Sequence, residues 1–154
     1  MRGMFIAGDR GEPLLCTCFP DSSLKTVIDA AMAAGTSLAK YFVQWSTGAN
    51  FEVATLAENG VIQGRIVDVE SYVTTAGVHT YILTVEWFWY VDRNSAKYPA
   101  TRITVLPYEG SAPALGTTVA CYSTTYKSVK DYTTLGAGRV IGVDTTNNIV
   151  AVMQ

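Results

Sequence analysis

The chain has 154 residues, of which 49% are apolar and 16% are charged, and its net charge is −2. No block of like charges supplies the basic face that nucleic-acid binding needs, and no apolar run approaches the roughly 20 residues that span a bilayer. An average soluble domain is roughly 25% charged, so this composition favours one domain that buries part of its surface against other subunits. A monomer covered by Thr, Ser and Tyr is the alternative.

Residues 1–20 are predicted to form an extended N-terminal arm. Glycine and proline punctuate this segment, and its charged residues interrupt any signal-peptide core. Because such a segment makes few local contacts, its apolar content favours docking on a partner or a neighbouring subunit. The candidate contact residues of the arm are Met4, Phe5, Ile6, Leu14 and Leu15.

Residues 22–34 carry a helical pattern, with apolar residues at i, i+3, i+4, i+7 and i+8. Asp21 is a candidate N-cap, and Gly35 can end the helix in the left-handed conformation. A short strand over residues 26–28 is the competing interpretation. The apolar stripe consists of Leu24, Val27, Ile28, Ala31 and Met32.

From Gly35 onward the chain has the short periodic segments and turn residues of a β protein. Short loops and many strands without alternating helices indicate an antiparallel β-sandwich or barrel, and residues 21–154 are predicted to be a single β-rich domain. The predicted strands cover residues 37–45, 51–54, 61–69, 79–91, 101–106, 117–126, 129–132, 139–144 and 149–153.

Two seven-residue motifs occur twice in the same order. Gly35–Tyr41 matches Gly116–Tyr122, and Gly64–Glu70 matches Gly138–Asp144. The matches predict one β-unit that is used twice. Chance similarity between β-rich segments is the alternative. The predicted halves are residues 35–91 and 114–153.

The run of four aromatic residues at Trp87, Phe88, Trp89 and Tyr90 is the strongest local signal. On a strand, alternate side chains lie on opposite faces, so one face of this run can enter the core and the other a subunit interface. The alternative is a stacking platform for sugars, built on Trp87 or Trp89. All four are therefore candidate interface residues.

No catalytic, cofactor-binding or metal site is predicted. The single histidine, His79, has no cysteine near it in sequence, and zinc needs three or four clustered ligands. Cys16 and Cys18 are too far apart on one strand face to favour a mutual disulfide, so reduced thiols made in a cytosol are expected. Acidic residues recur only at Glu70 and Asp144, which favours a structural role such as pairing with Arg65 and Arg139 across a pseudo-twofold.

Several short motifs together resemble the capsid decoration, or cement, proteins of tailed bacteriophages. Gly-Thr-Ser-Leu-Ala at 35–39 is echoed at 116–120, and Val-Ile-Gly-Val-Asp at 140–144 is echoed at 66–70. Ile-Val-Ala-Val-Met at 149–153 completes the set. The resemblance covers residues 30–153.

The resemblance implies a β-tulip-like fold and a homotrimer on the outer surface of the capsid, made in the bacterial host cytoplasm. The partner would be the major capsid protein of the expanded shell, and the arm over residues 1–20 would reach that shell or a neighbouring trimer. No cofactor, nucleic acid or membrane is implied. The long aromatic strand and the insertion over residues 70–113 depart from the simpler family members.

Two other functions stay open from the sequence. One is a carbohydrate-binding β-sandwich that uses Trp87 or Trp89. The other is a different phage structural protein with a β fold, such as a tail-tube or head-completion subunit. An enzyme is not expected, because no set of acid, base and nucleophile can be assembled from the residues.

Overall fold

The computed structural model describes residues 14–56, 62–87, 103–122, 126–132 and 139–153. The fold is mainly β with one helix, as predicted. The elements in chain order are β1 (Leu14–Pro20), α1 (Ser22–Ala34), β2 (Phe42–Trp45), β3 (Glu52–Thr55), β4 (Gly64–Val73), β5 (His79–Trp87), β6 (Ile103–Pro107), β7 (Thr118–Cys121), β8 (Val129–Tyr132), β9 (Arg139–Asp144) and β10 (Ile149–Met153).

The first five strands form a closed barrel in the order β1-β3-β2-β4-β5. Strand β1 closes it, because it pairs parallel with β3 and antiparallel with β5. The other neighbours are antiparallel. Along β5, Tyr81, Leu83, Val85 and Trp87 are buried in the barrel core, and their alternation places them on one face of the strand.

Helix α1 has the predicted bounds and caps, and the competing strand interpretation is wrong. The side chain of Asp21 accepts a hydrogen bond from the Leu24 amide at 2.8 Å, and Gly35 ends the helix at φ 65°. Leu24 and Ile28 are fully buried against the barrel, whereas Met32 is 54% exposed. The first half of the apolar stripe therefore covers one end of the barrel, and the second half extends beyond it.

A second core lies outside the barrel. It is built from the three-stranded sheet β6-β10-β9 and the two-stranded ribbon β7-β8. The backbone of Val140 in β9 joins residues 116 and 117 through two hydrogen bonds of 2.8 Å. The fully or almost fully buried members of this core are Phe42, Leu56, Ile62, Leu106, Tyr108, Val119, Cys121, Val129, Val140, Val150 and Val152.

The second motif of each predicted repeat contains a β-bulge at the same position. In the pairing of β4 with β5 the register skips Val67, and in the pairing of β9 with β10 it skips Ile141. These two residues align in the sequence motifs. The preceding residues, Ile66 and Val140, are both buried, and each forms two backbone hydrogen bonds to the segment that carries its first motif. The shared bulge supports the repeat, because bulges are specific features of a strand and not of β structure in general.

The N-terminal boundary differs from the prediction. Residues 14–20, expected to belong to the arm, form strand β1 inside the barrel, where Cys18 is fully buried. The strand follows Pro13, ends at Pro20 and alternates Cys16 and Cys18 with more exposed neighbours. This pattern is too short to distinguish from an irregular arm. Of the predicted strand over 37–45, only Phe42–Trp45 is extended.

Candidate interaction surface

Strand directions bring the ends of β2 and β5 and the start of β1 to one end of the barrel. Both β2 and β5 run antiparallel to β1, so they end where β1 begins, and helix α1 lies at the opposite end. Leu14 and Trp87 are cross-strand partners at this end. The chain therefore enters the barrel and leaves it at adjacent points, away from the helix.

Two stacked tryptophans lie at this end of the barrel, which we call the aromatic end. The ring centroids of Trp45 and Trp87 are 4.0 Å apart, and the ring planes are 6° from parallel. Trp87 is only 3% exposed and belongs to the barrel core, whereas Trp45 is 41% exposed. Trp87 is therefore buried, and Trp45 is the ring of the pair with substantial exposure.

Gly64 is needed for this arrangement. A Cβ atom at this position would approach the Glu86 carbonyl oxygen and Trp87 Cε3, both to 2.9 Å. Those distances are shorter than van der Waals contact, so only glycine lets β4 lie this close to Trp87. The glycine that opens the repeated motif thus has a packing role in its first copy.

Phe51, in the loop between β2 and β3, is the most unusual residue of this end. It is 59% exposed and has φ 57°, a left-handed conformation that is rare for a bulky side chain. Its carbonyl oxygen accepts a hydrogen bond of 2.9 Å from the amide of Phe19, which is itself 42% exposed. Phe19 lies near the end of β1 that leads into helix α1, so we give the name aromatic patch only to Trp45 and Phe51, at the start and the end of the β2–β3 loop.

Polar side chains fix the loop that carries the patch. Ser46 Oγ donates a hydrogen bond of 2.8 Å to Glu52 Oε2, across the two ends of the loop. The amide of Trp45 donates to Gln63 Oε1 at 2.8 Å. The patch therefore lies on a hairpin that is anchored on both sides.

Of the sequence-predicted contact residues, the structure describes Leu14, Leu15 and Trp87. Leu15 is 52% exposed on β1, next to β5, and Leu14 lies in the same strand. Trp87 is buried. The remaining candidates, Met4, Phe5, Ile6, Phe88, Trp89 and Tyr90, lie outside the described residues, and they precede Leu14 or follow Trp87 in the chain.

Sequence reasoning missed the aromatic patch. Trp45 and Phe51 are single aromatic residues in the chain, and no periodicity marks their exposure. The one available signal was the Ser-Thr-Gly-Ala-Asn run at 46–50, a turn that places the residues before and after it at the same edge.

The cysteines have the properties of packing residues. Burial raises the pKa of the Cys18 thiol to about 12, and the nearby Cys16 adds to this shift. Burial also raises the pKa of Cys121 to about 12. Both thiols are therefore protonated at neutral pH, and neither has the character of a nucleophile. His79 is exposed, and the described part of the chain contains no cluster of three or more metal-ligating side chains.

Among the described residues, Glu70 and Asp144 form no ion pair with Arg65 or Arg139. Arg65 Nε donates to Glu86 Oε2 at 2.6 Å, because these two residues are cross-strand partners, and Glu70 takes no part in that bond. Asp144 instead accepts hydrogen bonds from Asn147 Nδ2 at 2.8 Å and from two amides of the following turn. These bonds, led by the Asn147 side chain, lower the pKa of Asp144.

Comparisons with known proteins identify no relative. No family model, curated protein or solved structure matches the chain. None of the helices among the described residues is long and apolar enough to cross a membrane.

Proposed function

We propose that this chain is a non-enzymatic capsid decoration protein. It binds the outer surface of an assembled, expanded phage shell as a homo-oligomer, which the sequence resemblance implies to be a trimer, and its main partner is the major capsid protein. The aromatic end of the barrel makes the contact with the shell. The single observation that carries the proposal is the exposed, left-handed Phe51 on the same β2–β3 hairpin as the exposed Trp45.

Phe51 supports a contact function because its conformation has no packing benefit inside the chain. A left-handed conformation costs roughly 1–2 kcal/mol for a residue with a Cβ atom. Burial usually offsets such a cost, but Phe51 is 59% exposed. Backbone strain at an exposed aromatic residue is typical of a binding site.

The topology of the barrel also supports the proposal. Six of the nine residues predicted to contact partners precede Leu14 or follow Trp87, and those two residues are paired at the aromatic end. An apolar arm, an aromatic run and the aromatic patch are thus connected to one end of a small rigid barrel. A protein that stabilises a lattice needs this kind of contact area and needs no catalytic group.

Decoration stabilises a shell by mass action. A protein that binds the assembled lattice and not its separated parts shifts the equilibrium toward the intact shell. The test is co-sedimentation of the purified chain with shells of the major capsid protein encoded in the same genome, in expanded and unexpanded forms. We expect binding to expanded shells only. A genome without a capsid gene, or no binding to either form, overturns the proposal.

A pair of variants locates the contact. Phe51→Asn removes the aromatic ring, and Asn tolerates the left-handed conformation, so the fold is retained. Val78→Ser is the matched control, because Val78 is 58% exposed in the β4–β5 turn at the other end of the barrel. We expect Phe51→Asn to weaken shell binding at least about tenfold and Val78→Ser to leave it unchanged. If both variants weaken shell binding equally, the aromatic end is not the surface that contacts the shell.

The stacked tryptophans favour a second candidate, a carbohydrate-binding module. An exposed ring held parallel over a buried one is a rigid surface for stacking against a sugar. In this case Trp45, and not Trp87, contacts the ligand. A glycan array separates the two functions: saturable glycan binding that Trp45→Ala abolishes supports the module, and its absence together with shell binding supports decoration.

A further inference from the structure

The outward face of the sheet β6-β10-β9 is almost entirely apolar. Val105 is 54% exposed, and Ile103, Ile141 and Met153 are 36–39% exposed. The opposite side of the same strands is buried in the second core. An antiparallel sheet with one face on the core normally has polar residues on the other face. We call Ile103, Val105, Ile141, Gly142, Ala151 and Met153 the outer sheet face.

Residue pairing arranges this face in rows across the three strands. Val105, Ala151 and Gly142 are register partners and form the central row. Two of the three are small, and a Cβ atom on Gly142 would lie only 3.6 Å from the Ala151 Cβ. The centre of the face is therefore low and flat, which allows another sheet to approach closely.

The charges of the face lie at its two ends. Arg139 pairs in register with Met153 at one end, and Asp144 pairs with Ile149 at the other. Among the described residues Arg139 has no ion-pair partner. Asp144 carries a full negative charge at neutral pH, because the turn that follows it lowers its pKa.

We propose that the outer sheet face is covered by a second copy of this chain, related by a twofold axis. The axis runs across the strands along the central row, between the two faces. Such an axis exchanges the two ends of β9, so Arg139 of each copy faces Asp144 of the other. Two ion pairs then flank an apolar centre, and no like charges meet. This inference goes beyond the proposed function and does not rest on it.

The pairing is favoured over a different partner because the face is complementary to itself. A twofold interface uses the same patch on both copies, so every feature must match its own image. In the pair, the end row of one copy, with Met153 and Ile103, faces the end row of the other copy, with Ile149 and Pro107. Apolar residues therefore contact apolar residues. The low charged content of the chain, 16%, agrees with a surface buried between copies.

The first experiment measures mass in solution. Sedimentation equilibrium of the wild-type chain is expected to give an even number of copies, which is two for the pair alone and six if the pair joins two trimers. Val105→Glu places two like charges across the central row and is expected to raise the dissociation constant about 100-fold or more. Val78→Glu, at an equally exposed position off this face, is the control and leaves the mass unchanged. A monomeric wild type, an odd number of copies, or a mass that Val105→Glu leaves unchanged overturns the proposal.

The second experiment tests the twofold geometry. Arg139→Glu and Asp144→Lys each create two like-charge contacts in a homodimer, so each variant alone is expected to dissociate. An equimolar mixture restores both opposite-charge contacts and is expected to form a heterodimer. Circular dichroism on each variant checks that it is folded. If the folded variants stay monomeric when mixed, the proposed pairing is wrong, whatever the outcome of the shell-binding assay.

Discussion

Phe42 and Val43 are adjacent in the chain but lie in different hydrophobic cores. Phe42 is 1% exposed and packs in the core outside the barrel, whereas Val43 is fully buried inside it. Successive side chains of a strand point to opposite faces, and in β2 both faces are covered. Strand β2 therefore contributes side chains to both cores and connects them.

Removal of the Phe42 ring is expected to destabilise the whole chain. Phe42→Ala leaves a cavity in the second core and should lower the free energy of unfolding by about 3–5 kcal/mol. Since β2 also belongs to the barrel, we expect one cooperative transition in denaturant, followed equally by tryptophan fluorescence and by far-UV circular dichroism. Two separate transitions in the variant would show that the cores unfold independently.

Gly64 and Gly142 should respond differently to alanine. The Cβ atom of Gly64→Ala would overlap the backbone of Glu86, so we expect a loss of about 1–3 kcal/mol in urea denaturation. Gly142→Ala meets only one ordinary contact, at 3.6 Å, and should change the stability of the monomer by less than about 1 kcal/mol. A harmless Gly64→Ala would contradict the close approach of β4 to Trp87.

Thiol reactivity should follow burial. The chain has three cysteines, of which Cys18 and Cys121 are buried with pKa values raised to about 12. At pH 8 we expect at most one thiol, Cys16, to react with Ellman's reagent in the native protein, and all three to react in guanidinium. Rapid labelling of Cys121 in the native state would show that the second core opens readily.

The hydroxyl of Tyr81 should control the ionisation of Asp29. Tyr81 donates a 2.5 Å hydrogen bond to the Asp29 carboxylate, which lowers the pKa of Asp29 below 3.8; Lys25 adds to the effect. We expect Tyr81→Phe to raise this pKa, measured by carboxyl NMR titration, and Lys25→Gln to raise it less. A lowered pKa contributes stability above pH 3.8 that is lost as the pH falls through the folded-state value.

The difference in the free energy of unfolding between wild type and Tyr81→Phe should therefore become smaller as the pH falls. Below the folded-state pKa of Asp29 the carboxyl is protonated in both proteins, so the charged hydrogen bond no longer distinguishes them. A difference that stays constant from neutral pH to pH 2 would show that Tyr81 contributes through packing alone.

Local signals in the sequence predicted local structure well. The helix bounds, its caps and the strand Ile149–Met153 follow from periodicity and from residues with special backbone preferences, such as Asp21 and Gly35. The separation of the two faces of β5 follows from parity. These features depend on interactions between residues that are close in the chain.

Long-range features could not be predicted in the same way. The role of β1 depends on its pairing with β5, far along the chain, and no pattern within residues 14–20 reveals that partner. Arg65 bonds Glu86 because strand register makes them cross-strand partners, whereas Glu70 lies on the same strand as Arg65 and pairs with Ile82. The exposure of Phe51 depends on a loop conformation that its residue type disfavours.

The closure of the barrel by β1 has a consequence for folding during synthesis. This strand is synthesised before the other four strands of the barrel, but its antiparallel partner β5 is made only after β2, β3 and β4. Until Trp87 emerges, one edge of β1 has no strand to pair with, and the nascent chain exposes an unpaired edge and an open core. Chains that terminate before β5 should therefore be recognised by chaperones and degraded, and ribosome-arrest experiments should locate the onset of folding after Trp87.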